Sequence, residues 1–504
     1  MKQVLTALLI GIAGHTLSYA QPVLTPRNMA LGGGGSTYIT DYNANFYNPA
    51  NLLILDNDRS LTIGLGMPGI YSDRLINYNS ISTQFSKIKE HFEVYQPGDL
   101  LIDNEQLDQL VEDNYPGRNT LSDNRVRSDI TLAGVKWHQN DRSYAVALRS
   151  RTSSSFRIGL GWYDLDYKTN SAGQDQVDRS LIYRRQSMYE ISFGYSESFE
   201  FLTGLTSRLD NFIIGIAPKV VIGTDYENAV WKNVYCTPEG SSTAERIQSY
   251  SYSSTGEHAS AISRYLNGNS VSQSNQVFSK DPFDFNGIGA GLDIGITYLV
   301  TLGSDLSAIR RDGQPTQRSL RLSFTMTDIG LISYFSNDLS ITSSSDTTQN
   351  AALPINTANE SFSGSKGQYL HFIDMFAESD PFNTNSTISN NTFSTLLPMA
   401  LHGGALLEIN RLKLMGDVSI GLTNNAFNST KVASSLGIEI RPLSFLPLRG
   451  GIRFEAQRPD FISAGTALET NRFDISISAM FKPNSLSERP SLTGAVISAL
   501  RFHF

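Results

Sequence analysis

Cysteine is nearly missing: the 504 residues hold one, Cys236. No internal disulfide can form, so a covalent staple does not hold the chain together. Charge is also scarce. Lys, Arg, Asp and Glu make up 17% of the residues, below the roughly 25% usual in soluble domains. The net charge of −8 argues against a nucleic-acid partner. After the first twenty residues no run of about 18 apolar residues occurs, so no transmembrane helix is expected.

Catalytic signatures are missing too. The histidines (His15, His91, His138, His258, His371, His402 and His503) form no HExxH or other close metal pair. Cys236 has no CxxC partner, and there is no GxSxG elbow. Asp99, Asp103, Asp108 and Glu112 depart from the calcium-loop spacing and read as a solvated surface. No catalytic residue, metal ligand or cofactor is assigned, and no enzyme activity is expected. The glycine run Gly32–Gly35 before Ser36-Thr37 has no lysine, so it is not a phosphate-binding P-loop.

What is present begins with MKQVLTALLIGIAGHTLSYA. Lys2, an apolar stretch and Ser18-Tyr19-Ala20 predict a secretory signal over residues 1–20, cleaved near Ala20. Period-two alternation then dominates. Tyr189, Ile191, Phe193 and Tyr195 oppose Glu190, Ser192, Gly194 and Ser196. Ile288, Ala290, Leu292, Ile294, Ile296 and Tyr298 oppose Gly287, Gly289, Gly291, Asp293, Gly295 and Thr297. Leu320, Leu322, Phe324 and Met326 alternate with Arg321, Ser323 and Thr325. Phe212, Ile214, Ile216, Val220 and Ile222 share a face, with Pro218 interrupting. The clearest strands run to about ten residues or more, as a tilted bilayer-crossing strand requires. Their second faces carry Gly and Ser rather than the Lys, Glu and Thr of a solvated sheet. That composition suits a crowded lumen. The end, LTGAVISALRFHF, places Phe502 and Phe504 in an aromatic girdle and predicts a C-terminal signal for the barrel-assembly machinery.

Between strands lie insertions near residues 76–127, 225–285 and 340–395. Helical stripes are expected at Ile81, Phe85, Ile88 and Phe92, at Leu107, Leu110 and Val111, and over residues 369–376. Which end of a barrel carries them is open at this point.

The stretch PRNMALGGGGSTYITDYNANFYNPANL resembles the N-terminal signature of the FadL-type superfamily of outer-membrane barrels, which includes PorV-like proteins of secretion systems. GLDIGITY (291–298), TMTDIGLISY (325–334), LPMALHGGALLEI (397–409) and RPLSFLPLRGGIRF (441–454) look like strands of an exported Bacteroidota branch of that group. The resemblance implies an all-β, transmembrane antiparallel β-barrel of about fourteen strands over residues 58–504. It also implies an N-terminal luminal plug over residues 21–57. Gly32, Gly33, Gly34, Gly35, Asn48, Pro49 and Ala50 are the candidate gate. The physical reading agrees: glycine permits close backbone approach, and Pro49 forces Asn48 into an extended conformation. The expected function is passage of small hydrophobic molecules across the outer membrane of a Gram-negative bacterium. The partners expected are outer-membrane lipid, the assembly machinery and a hydrophobic small molecule. A structural or partner-binding barrel of a secretion or surface assembly is the alternative, and a soluble exported β-sandwich the third.

Overall fold

The computed structural model describes residues 24–54, 60–76, 121, 124–162, 169–171, 174–199, 210–238, 243–266, 285–302, 318–336, 338–343, 346–351, 386–389, 391–430, 432–455, 461–482 and 491–504. The expected signal segment and the helical stripes at 81–92, 107–111 and 369–376 lie outside these residues.

Fourteen strands form one ring: β1 Leu61–Ile76, β2 Asn124–Gln139, β3 Arg142–Ile158, β4 Leu181–Ser198, β5 Asp210–Pro238, β6 Gly287–Thr301, β7 Arg318–Tyr334, β8 Ala400–Ile409, β9 Leu412–Gly421, β10 Val432–Leu443, β11 Leu446–Glu455, β12 Phe461–Glu469, β13 Phe473–Lys482 and β14 Ser491–His503. Each pairs antiparallel with its neighbours in this order. The ring closes where β1 pairs with β14, Thr62 opposite His503 and Ile63 opposite Phe502. Phe504 N donates to Leu61 O at 2.9 Å, and Leu61 N donates back to Phe504 O at 3.2 Å. A closed sheet has no edge, which is how a β protein satisfies its backbone inside lipid.

The alternation read from sequence becomes an inside and an outside. Phe193, Ile216, Phe324, Leu436, Ile452 and Ile477 are exposed on the outer wall, while Glu190, Ser192, Ser196, Asp293 and Thr297 are buried within. Outward apolar residues around a closed ring define a membrane-spanning barrel and exclude the soluble sandwich. Pro218 lies within β5 rather than ending it. Pairing with β4 runs to Ser192↔Lys219 and resumes at Tyr195↔Ile216, so the missing N–H falls in a gap of that ladder.

The two ends differ. Tight turns at 140–141, 410–411, 444–445 and 470–472, together with the connectors 199–209 and 302–317, share one end with Leu61 and Phe504. Asn140 (φ 56°) and Asn410 (φ 52°) take the left-handed conformation that asparagine tolerates. The connectors 77–123, 159–180, 239–286, 335–399 and 422–431 join strands at the other end. There β5, 29 residues long, runs beyond the ring. Its outer half pairs with Ala244–Ser254 on one side and Gln174–Asp178 on the other. Ala244–Ser254 in turn pairs with Leu339–Ser343 and Asp346–Ala351. Much of the stretch 225–254 is therefore strand, in a sheet that stands on the barrel rim. A helix, Gly256–Leu266, follows it. Its buried side carries Ala259 and Ile262, three residues apart on one helical face, within a stretch otherwise polar enough to read as loop.

Candidate functional site

The lumen is filled by the chain's own N-terminal segment, Leu24–Ile54. Three short turns of helix shape it, each begun by a side chain that accepts a backbone N–H. Thr25 starts helix Pro26–Ala30, with Pro26 in the first turn; Asp41 starts the 3-10 turn Tyr42–Phe46; Asn48 starts Pro49–Leu53. Gly32 (φ 85°) and Gly33 (φ 76°) turn the chain after the first helix through a conformation open chiefly to glycine. Gly33 N donates to Asn28 O at 2.7 Å, closing that turn.

The segment is tied to strands on every side of the ring. Arg27 pairs with Glu469 on β12 at 2.9 Å. Gly32 N donates to Ser463 Oγ, also on β12, at 2.9 Å. Ser36 N donates to Asp417 Oδ1 on β9 at 3.1 Å. Lys136 of β2 donates to Thr40 O at 2.6 Å and Ile54 O at 3.0 Å. Asn45 Nδ2 donates to Ala145 O on β3 and Ser192 O on β4, each at 3.3 Å. Ser196 Oγ of β4 donates to Ala50 O at 2.9 Å. Arg501 of β14 pairs with Asp41. A stretch bonded to strands around the whole ring lies inside it.

The Gly-rich luminal faces now have a cause. Gly64, Gly134, Gly194, Gly215, Gly295, Gly404, Gly437, Gly451 and Gly465 all abut the segment. A Cβ at Gly215 would overlap the backbone of Pro49 and Ala50, and one at Gly295 would overlap Asn48 Oδ1. Asn48 itself is fully buried, with φ −155° and ψ 93°, the extended conformation that Pro49 imposes. Its Oδ1 accepts from Ala50 N at 3.2 Å. Its Nδ2 donates to Ser36 O at 2.7 Å and Thr297 Oγ1 at 3.0 Å. Gly34 faces Asp417 and Ser435. The candidate gate residues are thus brought together inside the ring, whereas Phe502 and Phe504 are exposed at its tight-turn end.

Beyond this segment, towards the long-loop end, lies a layer of charge that sequence reading did not find. Arg149 pairs with Glu190 at 2.6 Å, Arg151 with Glu190 at 2.5 Å and Asp328 at 2.9 Å, and Lys219 with Asp293 at 2.8 Å. Arg127 and Asp129 form a neighbouring pair, joined by Arg127 Nε at 2.9 Å from Asp129 Oδ1. All eight side chains are buried, and their formal charges cancel. Asp328 takes φ 57° at an irregularity in the β6–β7 ladder, and its N–H donates to Asp293 Oδ1 at 2.6 Å. The layer touches the N-terminal segment where the Arg149 guanidinium lies 3.9 Å from the Phe46 ring centre. Arg149 and Arg151 sit at alternate luminal positions of β3, Glu190 and Asp293 at luminal positions of β4 and β6, and that was the available signal.

Further out the lumen turns apolar. Met188, Val221, Ile332, Tyr334, Leu397 and Phe427 form a buried cluster, flanked by Tyr226 and Phe393. Phe427 comes from the β9–β10 connector, and Ser153 Oγ of β3, across the ring, donates to Ala426 O at 2.7 Å.

These features define a class: a transmembrane antiparallel β-barrel whose lumen is occupied by its N-terminal segment, an ionic layer and an apolar outer cluster. The chain belongs to the family of unknown function DUF5723, whose model matches residues 56–479. Comparison with curated proteins finds no match. Among solved structures, it is similar to the monoaromatic hydrocarbon channel TodX carrying the deltaS2S3 mutation. That match has 11% identity and a TM-score of 0.43, covering 97% of this chain and 100% of that one. The Ralstonia pickettii toluene transporter TbuX matches at 10% identity, TM-score 0.40, with coverages of 96% and 98%. A Pseudomonas aeruginosa FadL homologue matches at 12% identity, TM-score 0.37, with coverages of 97% and 99%. At these scores the likenesses carry no functional argument, and the fold rests on this chain's own strand ladder.

Proposed function

We propose that this chain is an outer-membrane barrel that passes small hydrophobic molecules, with residues 24–54 as its gate at Gly32–Gly35 and Asn48–Ala50. The observation that carries this reading is the apolar lining of the outer lumen, since a lumen serving only polar solutes has no use for Met188, Val221, Ile332 and Leu397 on its inner side. The tight-turn end, with both strand termini, would face the periplasm, and the long connectors the exterior. Phe502 and Phe504 would then sit in the inner aromatic girdle and serve the assembly machinery as its recognition tag. The test is flux of an apolar solute into proteoliposomes holding the native chain or a chain lacking residues 24–54. Faster flux after deletion supports the gate. No flux from either form, with the barrel folded by heat-modifiable gel mobility, overturns the reading.

A second reading, a partner-binding barrel of a surface or secretion assembly, is favoured by the sheet on the rim, where β5 extends far beyond the length a bilayer needs. Mild-detergent purification should then recover a stoichiometric protein partner; a barrel always found alone counts against it.

A further inference from the structure

The described part of the connector between β9 and β10, residues 422–430, crosses the lumen instead of lying over the rim. On the near side, Asn428 Nδ2 donates to Pro398 O, and to Met399 O at 3.1 Å. On the far side, Arg184 of β4 donates to Asn424 Oδ1 at 2.8 Å, beside the Ser153–Ala426 bond from β3. Asn425 Oδ1 accepts from Phe427 N at 3.0 Å and Asn428 N at 2.8 Å, and this turn aims Phe427 inward.

The Phe427 side chain is 1% exposed. Its socket is walled by Met188 of β4, Val221 of β5, and Ile332 and Tyr334 of β7, with Leu397 beside them. Four of the five walls project from barrel strands, so the socket exists independently of the loop. Its floor is formed by two guanidinium groups, each ion-paired on its far side: the guanidinium carbons of Arg151 and Arg127 lie 5.1 and 6.0 Å from the ring centre. Further out, the rings of Tyr226, Tyr334 and Phe393 lie 5.0–5.4 Å apart and line an aromatic wall.

We infer that this socket is a binding site for a single aromatic ring, and that Phe427 is its tethered occupant in the closed state. A guanidinium attracts the face of an aromatic ring and has no such attraction for a saturated ring of the same size. The walls alone would take either; the floor selects the aromatic. Leu422 N and Asn428 Nδ2 anchor the loop to Met399 O on the near side, whereas across the lumen it is held by the Ser153 and Arg184 bonds, so a ring arriving along the aromatic wall competes with Phe427 and frees the far side of the strap. This inference rests on the proposal that apolar molecules enter the lumen, and it names their class.

The test uses the full chain in detergent with Thr430→Cys, an exposed position on the same loop, spin-labelled in a Cys236→Ser background. Benzyl alcohol and cyclohexylmethanol form a matched pair of soluble probes. Benzyl alcohol should mobilise the label at a concentration several-fold lower than cyclohexylmethanol, up to about tenfold for a desolvated cation–ring contact. Phe427→Ala, read by saturation-transfer NMR, should bind benzyl alcohol about tenfold more tightly than the native chain, because its competitor is gone. Apolar cavities of ring size take up benzene without any function. Phe461→Ala, which empties a different buried site, is therefore the control and should not distinguish the two alcohols. Equal responses to both alcohols in the native chain, or a label that neither moves, overturns the inference. Heat-modifiable mobility confirms that each variant is folded. Aromatic binding without flux would keep the socket and overturn the passage reading; flux without aromatic preference would do the reverse.

Discussion

Replacing Asn48 by alanine should loosen the N-terminal segment while leaving the barrel intact. The substitution removes the acceptor for Ala50 N, and a lost helix-start acceptor costs about 0.5–2 kcal/mol. It also removes the donors to Ser36 O and Thr297 Oγ1, at about 1 kcal/mol each. Ser36 O keeps Asn51 Nδ2 at 2.9 Å, and Thr297 Oγ1 keeps Asn51 Oδ1 at 2.7 Å, so only Ala50 N is left without a partner. The sum is about 2–4 kcal/mol. Hydrogen exchange of the detergent-solubilised chain reads this directly. Amides of residues 24–54 should exchange roughly 30- to 700-fold faster, at 1.4 kcal/mol per decade. Amides of β2–β6 should be unchanged. Gly295→Ala should give the same phenotype, because its methyl displaces Asn48 Oδ1. In the double variant the two costs should not add, since the methyl then meets no carboxamide. Unaltered exchange in residues 24–54, or equal acceleration in segment and barrel, would refute the reasoning.

Four further outcomes are expected. Lys136→Met removes charged donors from Thr40 O and Ile54 O, and should accelerate exchange near Asp41 and at the segment's end, costing about 1.5–3 kcal/mol per bond. Glu190→Gln leaves Arg149, Arg151 and Lys219 short of one buried carboxylate and should destabilise the barrel by about 3–5 kcal/mol, lowering the midpoint of its heat-induced gel shift. Arg142→Ala, which breaks the exposed pair with Glu197, should leave that midpoint unmoved. Asp338, in the β7–β8 connector outside the membrane, has its carboxyl pushed up from 3.8 to about 6 by burial. The protonated form is thus favoured in the fold. Its stabilisation of Leu339–Ser343 is complete below about pH 4 and is lost as pH rises through about 6. Corrected exchange protection there should fall across that window, by about a hundredfold at most, and Asp338→Asn should flatten the profile.

Strands, their faces and the turn at Asn48-Pro49-Ala50 were legible in the sequence because each depends on neighbouring residues; a place for that turn inside the ring was implied by the family resemblance alone. Glu190 and Phe193 face opposite sides because successive strand residues do. Pro49 restricts Asn48 whatever surrounds it. The ionic layer was not legible. Arg151 and Asp328 are 177 residues apart, and each, read alone, is an occasional charge on a Gly- and Ser-rich face. Phe427 was invisible for a similar reason: one aromatic in an Asn-rich connector reads as surface until the loop is seen to cross the lumen.

Sequence alone determined that the chain makes long, two-faced strands with a glycine-dense polar side, because period-two patterning and composition are local properties. Only the tertiary structure decided that these strands close, with β1 against β14, and that the glycines on separate strands meet one folded segment. It also decided that four positive and four negative side chains neutralise one another behind that segment. Each of these depends on register between residues hundreds of positions apart, and a one-residue slip would turn every luminal side chain into the membrane.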